Sequence, residues 1–357
     1  MNSMRTTSLQ ALLALLAVLS ASPACDGDDD PADAMAKPDA GPDTEPWQLV
    51  FEELEPSLMS VAGSAADDVW AVGADARDGS GALVLHYDGE RWQHMSTGVE
   101  ADLWWVHVLA PDSIWMGGAK GTIVHYDGEA FTSFDTPGTG TVYGVWGVSE
   151  DDLWAVGGVP EETPGFAWRY DGSIWTDVSE QLPDGKNGLP IFKIWGRASD
   201  DAWLVGLDGL TVHWDGSRFE KADSGTRERL FTVHGTQDGE PSYVAVGGYG
   251  KSTIMEYDGT AWHNVTPKNA PVSLYGVYLR DENLGYAVGY EGRVLQRKGG
   301  AWKLLEDTGL ELFEELHSVW IDPDDGVWAV GGAVNAPIPE LGMLVHLGSE
   351  VSHVIEE

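Results

Sequence analysis

The chain has 357 residues, with 58 acidic against 20 basic side chains for a formal charge of −38, together with 45 Gly, 17 Trp and one Cys. One sulfur excludes an intrachain disulfide, and so acidic a chain repels nucleic acid, whose affinity comes mainly from Lys and Arg displacing counterions, and repels an anionic bilayer. An apolar content of 43% supports a large core.

Residues 1–24 have the layout of a signal peptide: Arg5, the apolar run Leu12 to Leu19, then the small residues Ser22 and Ala24. The run is too short for a membrane span, which needs about 20 apolar residues. Cys25 is the only thiol and stands at the expected cleavage point, resembling a bacterial lipoprotein lipidation site. The expectation is an exported envelope lipoprotein on the outer membrane or cell surface, touching the membrane only through its lipid. An unlipidated secreted or periplasmic protein is the alternative. Residues 25–46 carry that Cys and then eight acids, four Pro and one Lys, an acidic, disordered spacer with nothing to bury. The Asp26 to Asp30 run lacks the spaced ligands of a calcium loop.

From Trp47 to the end, residues 47–357, the chain repeats. Asp68-Val69-Trp70-Ala71-Val72-Gly73 recurs in six variants, and the seven anchors, at 70, 115, 154, 203, 244, 286 and 328, step by 45, 39, 49, 41, 42 and 42. Each unit holds four strand signals. The first is aliphatic-aromatic-x-Val/Ile-x: Leu58 to Ala62, Leu103 to His107, Val142 to Trp146, Ile191 to Trp195, Leu230 to His234, Leu274 to Tyr278 and Leu316 to Trp320. The Trp-Ala-Val-Gly line is the second. A third runs into His-Tyr-Asp-Gly or a variant, a tight-hairpin signal, and the fourth opens on an aromatic such as Trp92 or Trp175. Seven units of four short strands, without the i, i+3, i+4 spacing of helical arrays, specify an all-β, seven-bladed β-propeller. An open edge would remain on the last blade. Pro46-Trp47-Gln48-Leu49-Val50 matches the fourth-strand pattern and is expected to fill it from the N-terminus, with Val351 to Ile355 as competitor.

The unit Gly285 to Leu295 followed by Gly299-Gly300-Ala301-Trp302 resembles repeats of Ycf48-like photosystem assembly-factor propellers, and the Asp-Gly-x-x-Trp element resembles the Asp-box of sialidase-type propellers. The tandem blades are most similar to those of exported bacterial lipoproteins. These resemblances imply a propeller built from structural turns, and leave the ligand open. No Arg stands in the seven first-strand motifs, so a sialidase-type arginine triad is not implied.

His86, His125, His213 and His346 occupy one repeat position in separate blades, as do Asp88, Asp127, Asp171, Asp215 and Asp258. A propeller spreads such groups around its ring, whereas a metal or a carboxylate pair needs them together. Both sets are therefore expected to be structural, with no metal site. One column converges: the residue after Val/Ile in each first strand is Ala62, His107, Trp146, Trp195, His234, Tyr278 or Trp320. The six rings are the candidate ligand-binding residues, lining one end of a central channel and able to stack on a sugar or an aromatic side chain. The alternative is that they pack between blades. Longer inserts at Ala74 to Ser80, Val159 to Thr163, Asp184 to Pro190 and Ala333 to Pro339 are suited to partner contacts on one rim. The sequence contains no Gly-x-Ser-x-Gly, phosphate loop or His-Glu-x-x-His. The expected function is a non-enzymatic, monomeric binding or assembly scaffold, its ligand a protein or glycan on a propeller face, with no cofactor expected and calcium left open without a motif to support it. Rivals are a propeller lyase or glycosidase acting on polysaccharide, and a purely structural envelope protein.

Overall fold

The computed structural model describes residues 46–334, 336 and 339–356. The signal segment, Cys25 and the spacer up to residue 45 lie outside the described residues. Seven sheets follow one another along the chain, each built on antiparallel strands laid down from the innermost outward, with the outermost strand of the seventh and a fifth strand on the first supplied by the chain ends. The innermost strands are Leu58–Ala65, Leu103–Ala110, Val142–Ser149, Ile191–Ala198, Leu230–Gly235, Leu274–Leu279 and Glu315–Ile321. Each neighbours the next, and the seventh returns to the first, so the sheets are seven blades around an axis.

The ring closes as the N-terminal pattern requires. Trp47–Leu54 is the outermost strand of blade seven, antiparallel to Glu340–Leu347 with Trp47 opposite Leu347 and Leu49 opposite Val345. The competing C-terminal segment goes elsewhere: Ile355–Glu356 runs parallel to Trp92–His94 as a fifth strand on blade one.

Blades hold together through their anchor rings. Trp70, Trp115, Trp154 and Trp328 are each 1% exposed, wedged between adjacent sheets. Trp70, for example, lies 5.1 Å from Tyr126 and 6.4 Å from Phe131 of the next blade. Removing one indole from water stabilises by roughly 4–6 kcal/mol, gross, at ~25 cal/mol/Å².

The recurring histidines serve the same wedges. His86 and His125 stack on Trp70 and Trp115 with centroids 4.2 Å apart, and His346 lies tilted against Trp328 at 3.9 Å. His213 lies 4.8 Å from Trp203. Nε2 of His86 and of His213 is 2.8 Å from Asp68 and Asp201. Blade three substitutes Arg169, 5.1 Å over Trp154 and paired to Asp152 at 3.1 Å. The Asp ring is turn chemistry: in Asp88, Asp127, Asp171, Asp215 and Asp258 one carboxylate oxygen accepts the N–H groups two and three residues on, at 2.8–3.0 Å.

Candidate functional site

Every innermost strand begins with the same irregularity. The pairing register slips between Leu58 and Ser60, and again at the equivalent position of the other six blades. The bulged residues are Met59, Trp104, Tyr143, Phe192, Phe231, Tyr275 and His317. A bulge leaves its residue unpaired and turns the side chain out of the strand's alternation.

The glycine closing each Trp-Ala-Val-Gly line permits this. A Cβ on Gly247 would sit 1.8 Å from the Arg229 carbonyl oxygen, and one on Gly118 would sit 2.3 Å from that of Asp102. Only a residue without a side chain lets the chain leading into the innermost strand cross there. The same close crossing occurs at Gly73, Gly157, Gly206, Gly289 and Gly331.

Re-aimed by the bulges, the rings form a belt around the mouth where the innermost strands start. Centroids step from Trp104 to Tyr143 (5.2 Å), Phe192 (5.8 Å), Phe231 (5.6 Å), Tyr275 (5.5 Å) and His317 (5.1 Å, near-parallel at 6°), and His317 returns to Trp104 at 6.2 Å. Met59 packs beside Trp104. The belt surrounds a cavity of about 230 Å³.

Below the belt lies one cation. Lys193, 7% exposed, extends from blade four, donates to the Tyr143 carbonyl at 2.7 Å and holds Nζ 3.5 Å from the Trp105 ring centroid. Among the described residues it has no carboxylate partner. Burial pushes its pKa well below the ordinary lysine value. His317 is pushed down to about 4, by burial first and then by the Lys193 charge. At the rim, Arg229 lies over the exposed Tyr249 ring at 5.4 Å, and Pro160 and Val334, from two of the long inserts, complete the lining.

The six rings singled out from sequence sit elsewhere. Each pairs directly opposite a Trp-line anchor, as Trp146 does Trp154 and Trp195 does Trp203, so it shares the anchor's face and points into the seam with the next blade. Trp146, Trp195 and Trp320 cover Gly196, Gly235 and Gly63 of their neighbours. His107 Nε2 meets the Gly147 backbone at 3.1 Å, His234 Nδ1 accepts the Leu279 N–H at 3.1 Å, and the Tyr278 ring stacks 4.0 Å from that of His234. Burial lowers His107 to about 4 and His234 to about 3. With the exception of Trp146, these side chains also edge a second cavity of about 310 Å³ at the opposite mouth. Trp105 and Thr232 border both cavities, which places the Lys193–Trp105 contact between them. The belt was present in the sequence as the aromatic of the aliphatic-aromatic-x-Val/Ile pattern; strict strand alternation assigns it no access to the axis.

No family model and no curated protein matches this sequence. Solved structures do match in fold. YCF48 bound to D1 peptide aligns with a TM-score of 0.63 at 15% identity, over 86% of this chain and 98% of that one. The WD40 β-propeller domain of Doa1 gives 0.61 at 12%, over 86% and 98%. A GH74 xyloglucanase from Xanthomonas campestris gives 0.55 at 14%, over 83% of this chain and 55% of that one. The chain is a seven-bladed β-propeller similar to both binding and glycosidase propellers.

Proposed function

We propose that this protein is a non-enzymatic, monomeric binding scaffold of the bacterial cell envelope, exported and tethered through Cys25, which holds a segment of a partner protein in the aromatic belt. The observation that carries this is the closed ring of six aromatic or imidazole side chains, at the mouth shared with the long inserts. Propeller topology puts the loops that enter the innermost and third strands on one face. Tyr249 (77% exposed), Val272, Tyr290 and Phe313 (81% exposed) lie on such loops, so exposed apolar side chains share the belt's face. A propeller of the same fold has been solved with a peptide, which favours a protein ligand.

Glycoside hydrolysis ordinarily uses two carboxylates roughly 5–10 Å apart. Among the described residues lining the two cavities, Asp238 is the only acid. That favours holding over cleaving. Peptide and glycan arrays probed with the full chain test the proposal, alongside a Phe231→Ala/Tyr275→Ala variant. Peptide binding weakened at least tenfold in the variant is expected, since central aromatic anchors are typically worth over 1.4 kcal/mol. Glycan turnover, or peptide binding indifferent to both substitutions, would overturn it.

A further inference from the structure

We infer that the belt recognises the free C-terminal carboxylate of a partner chain, with Lys193 as its counter-charge and the aromatic ring as the pocket for the last side chain. This rests on the peptide-binding reading of the same cavity. Three observations on the site converge on it.

Lys193 is a buried cation with no carboxylate opposite it among the described residues. An ammonium has three donors. The Tyr143 carbonyl takes one and the Trp105 face satisfies another direction, leaving a donor toward the cavity that Lys193 lines. A buried charge is normally paired, and the missing partner here has the chemistry of an anion. Charge is the second observation. On a chain of formal charge −38, this cavity is lined by two cations, Lys193 and Arg229, and by no acid among the described residues, while Glu315 accepts from the hydroxyl of the belt's Tyr275 at 3.1 Å. A basic ligand would sit better almost anywhere else on such a surface. Size is the third. At about 230 Å³ the cavity falls below the ~300–1,000 Å³ that enclose a drug-sized ligand. It admits an end group and leaves the rest of the chain to run out over the rim, past Tyr249.

The experiment uses two pools of N-acetylated hexapeptides of randomised sequence ending in Phe, Leu or Val, one pool with a free C-terminal carboxylate and one amidated, titrated against the full chain by anisotropy. The free-acid pool is expected to bind at least tenfold more tightly. Lys193→Met, whose fold is checked by circular dichroism, should erase that preference while leaving residual binding, and Phe231→Ala should weaken both pools. Equal binding of acid and amide, with Phe231→Ala still weakening both, overturns the carboxylate inference and leaves the belt as a peptide site. An acid preference that survives in Lys193→Met overturns the role of the lysine. Failure of both pools overturns the inference and the peptide reading together. A hexuronate oligosaccharide is the third arm; if it binds through Lys193 and the free-acid pool does not, the carboxylate comes from a glycan and the inference is wrong.

Discussion

Lys193 is held 3.5 Å from an indole centroid without an acidic partner among the described residues, and an unpaired buried charge costs stability that an apolar side chain of similar length does not. Lys193→Met is therefore expected to melt at or above the wild-type temperature while losing preference for anionic ligands. A lower melting temperature would show that the ammonium is a structural tie to Tyr143. His317, stacked on Tyr275, gives a pH signature. Its folded-state pKa, about 4, lies below the ~6.5 of an unfolded chain, as do those of His107 and His234. Between those values the unfolded state binds more protons, so these residues contribute stability that is present above pH ~6.5 and is lost as pH falls toward 4. Thermal melts from pH 8 to 4 should show that decline, and His317→Phe should lessen it while the His107 and His234 contributions remain. An unchanged slope would place the His317 imidazole in water.

At the scale of the strand, the decisive feature is a bulge repeated seven times. The repeat pattern correctly identified the strands, their order and the closing segment, because Trp-Ala-Val-Gly and Asp-Gly signals speak about local pairing. It pointed to His107, Trp146, Trp195, His234, Tyr278 and Trp320 as the inward column. The structure packs these against the blade seams, where all but Trp146 also edge the cavity at one mouth, and gives the other mouth to the bulged residues. A bulge does not show in alternation; its trace is the invariant glycine opposite. Gly247→Ala should lower stability by about 1–3 kcal/mol in urea titrations, because its Cβ has nowhere to go beside the Arg229 carbonyl. A variant as stable as wild type would mean the crossing is looser than 1.8 Å implies. Deleting residues 46–51, which include most of the closing strand's paired positions, should lower the melting temperature markedly. An unchanged melt would mean the ring does not need that closure.

Across the whole molecule, ring geometry sorts repeated residues by radius. Groups at middle and outer radius, such as His86 or Asp88 and their equivalents, are scattered one to a blade and serve packing and turns. Only the innermost strands gather side chains from all seven blades, so a ligand site made by repetition has to lie at a mouth of the channel. Sequence showed that much, and showed that aromatic side chains would be there. Which mouth, and which of two aromatic columns, depended on backbone geometry that residue spacing does not carry. The acidic surface adds a contrast: the belt cavity is a cationic, aromatic spot on a polyanion.

Hydrogen–deuterium exchange of the full chain with the saturating free-acid peptide pool tests this directly. Protection is expected in the segments carrying Trp104, Tyr143, Phe192, Phe231, Tyr275 and His317, at the starts of the innermost strands. Protection confined to the opposite mouth, around His107, His234 and Trp320, or to the outer turns at Asp88 and Asp215, would contradict the assignment of the belt as the binding site.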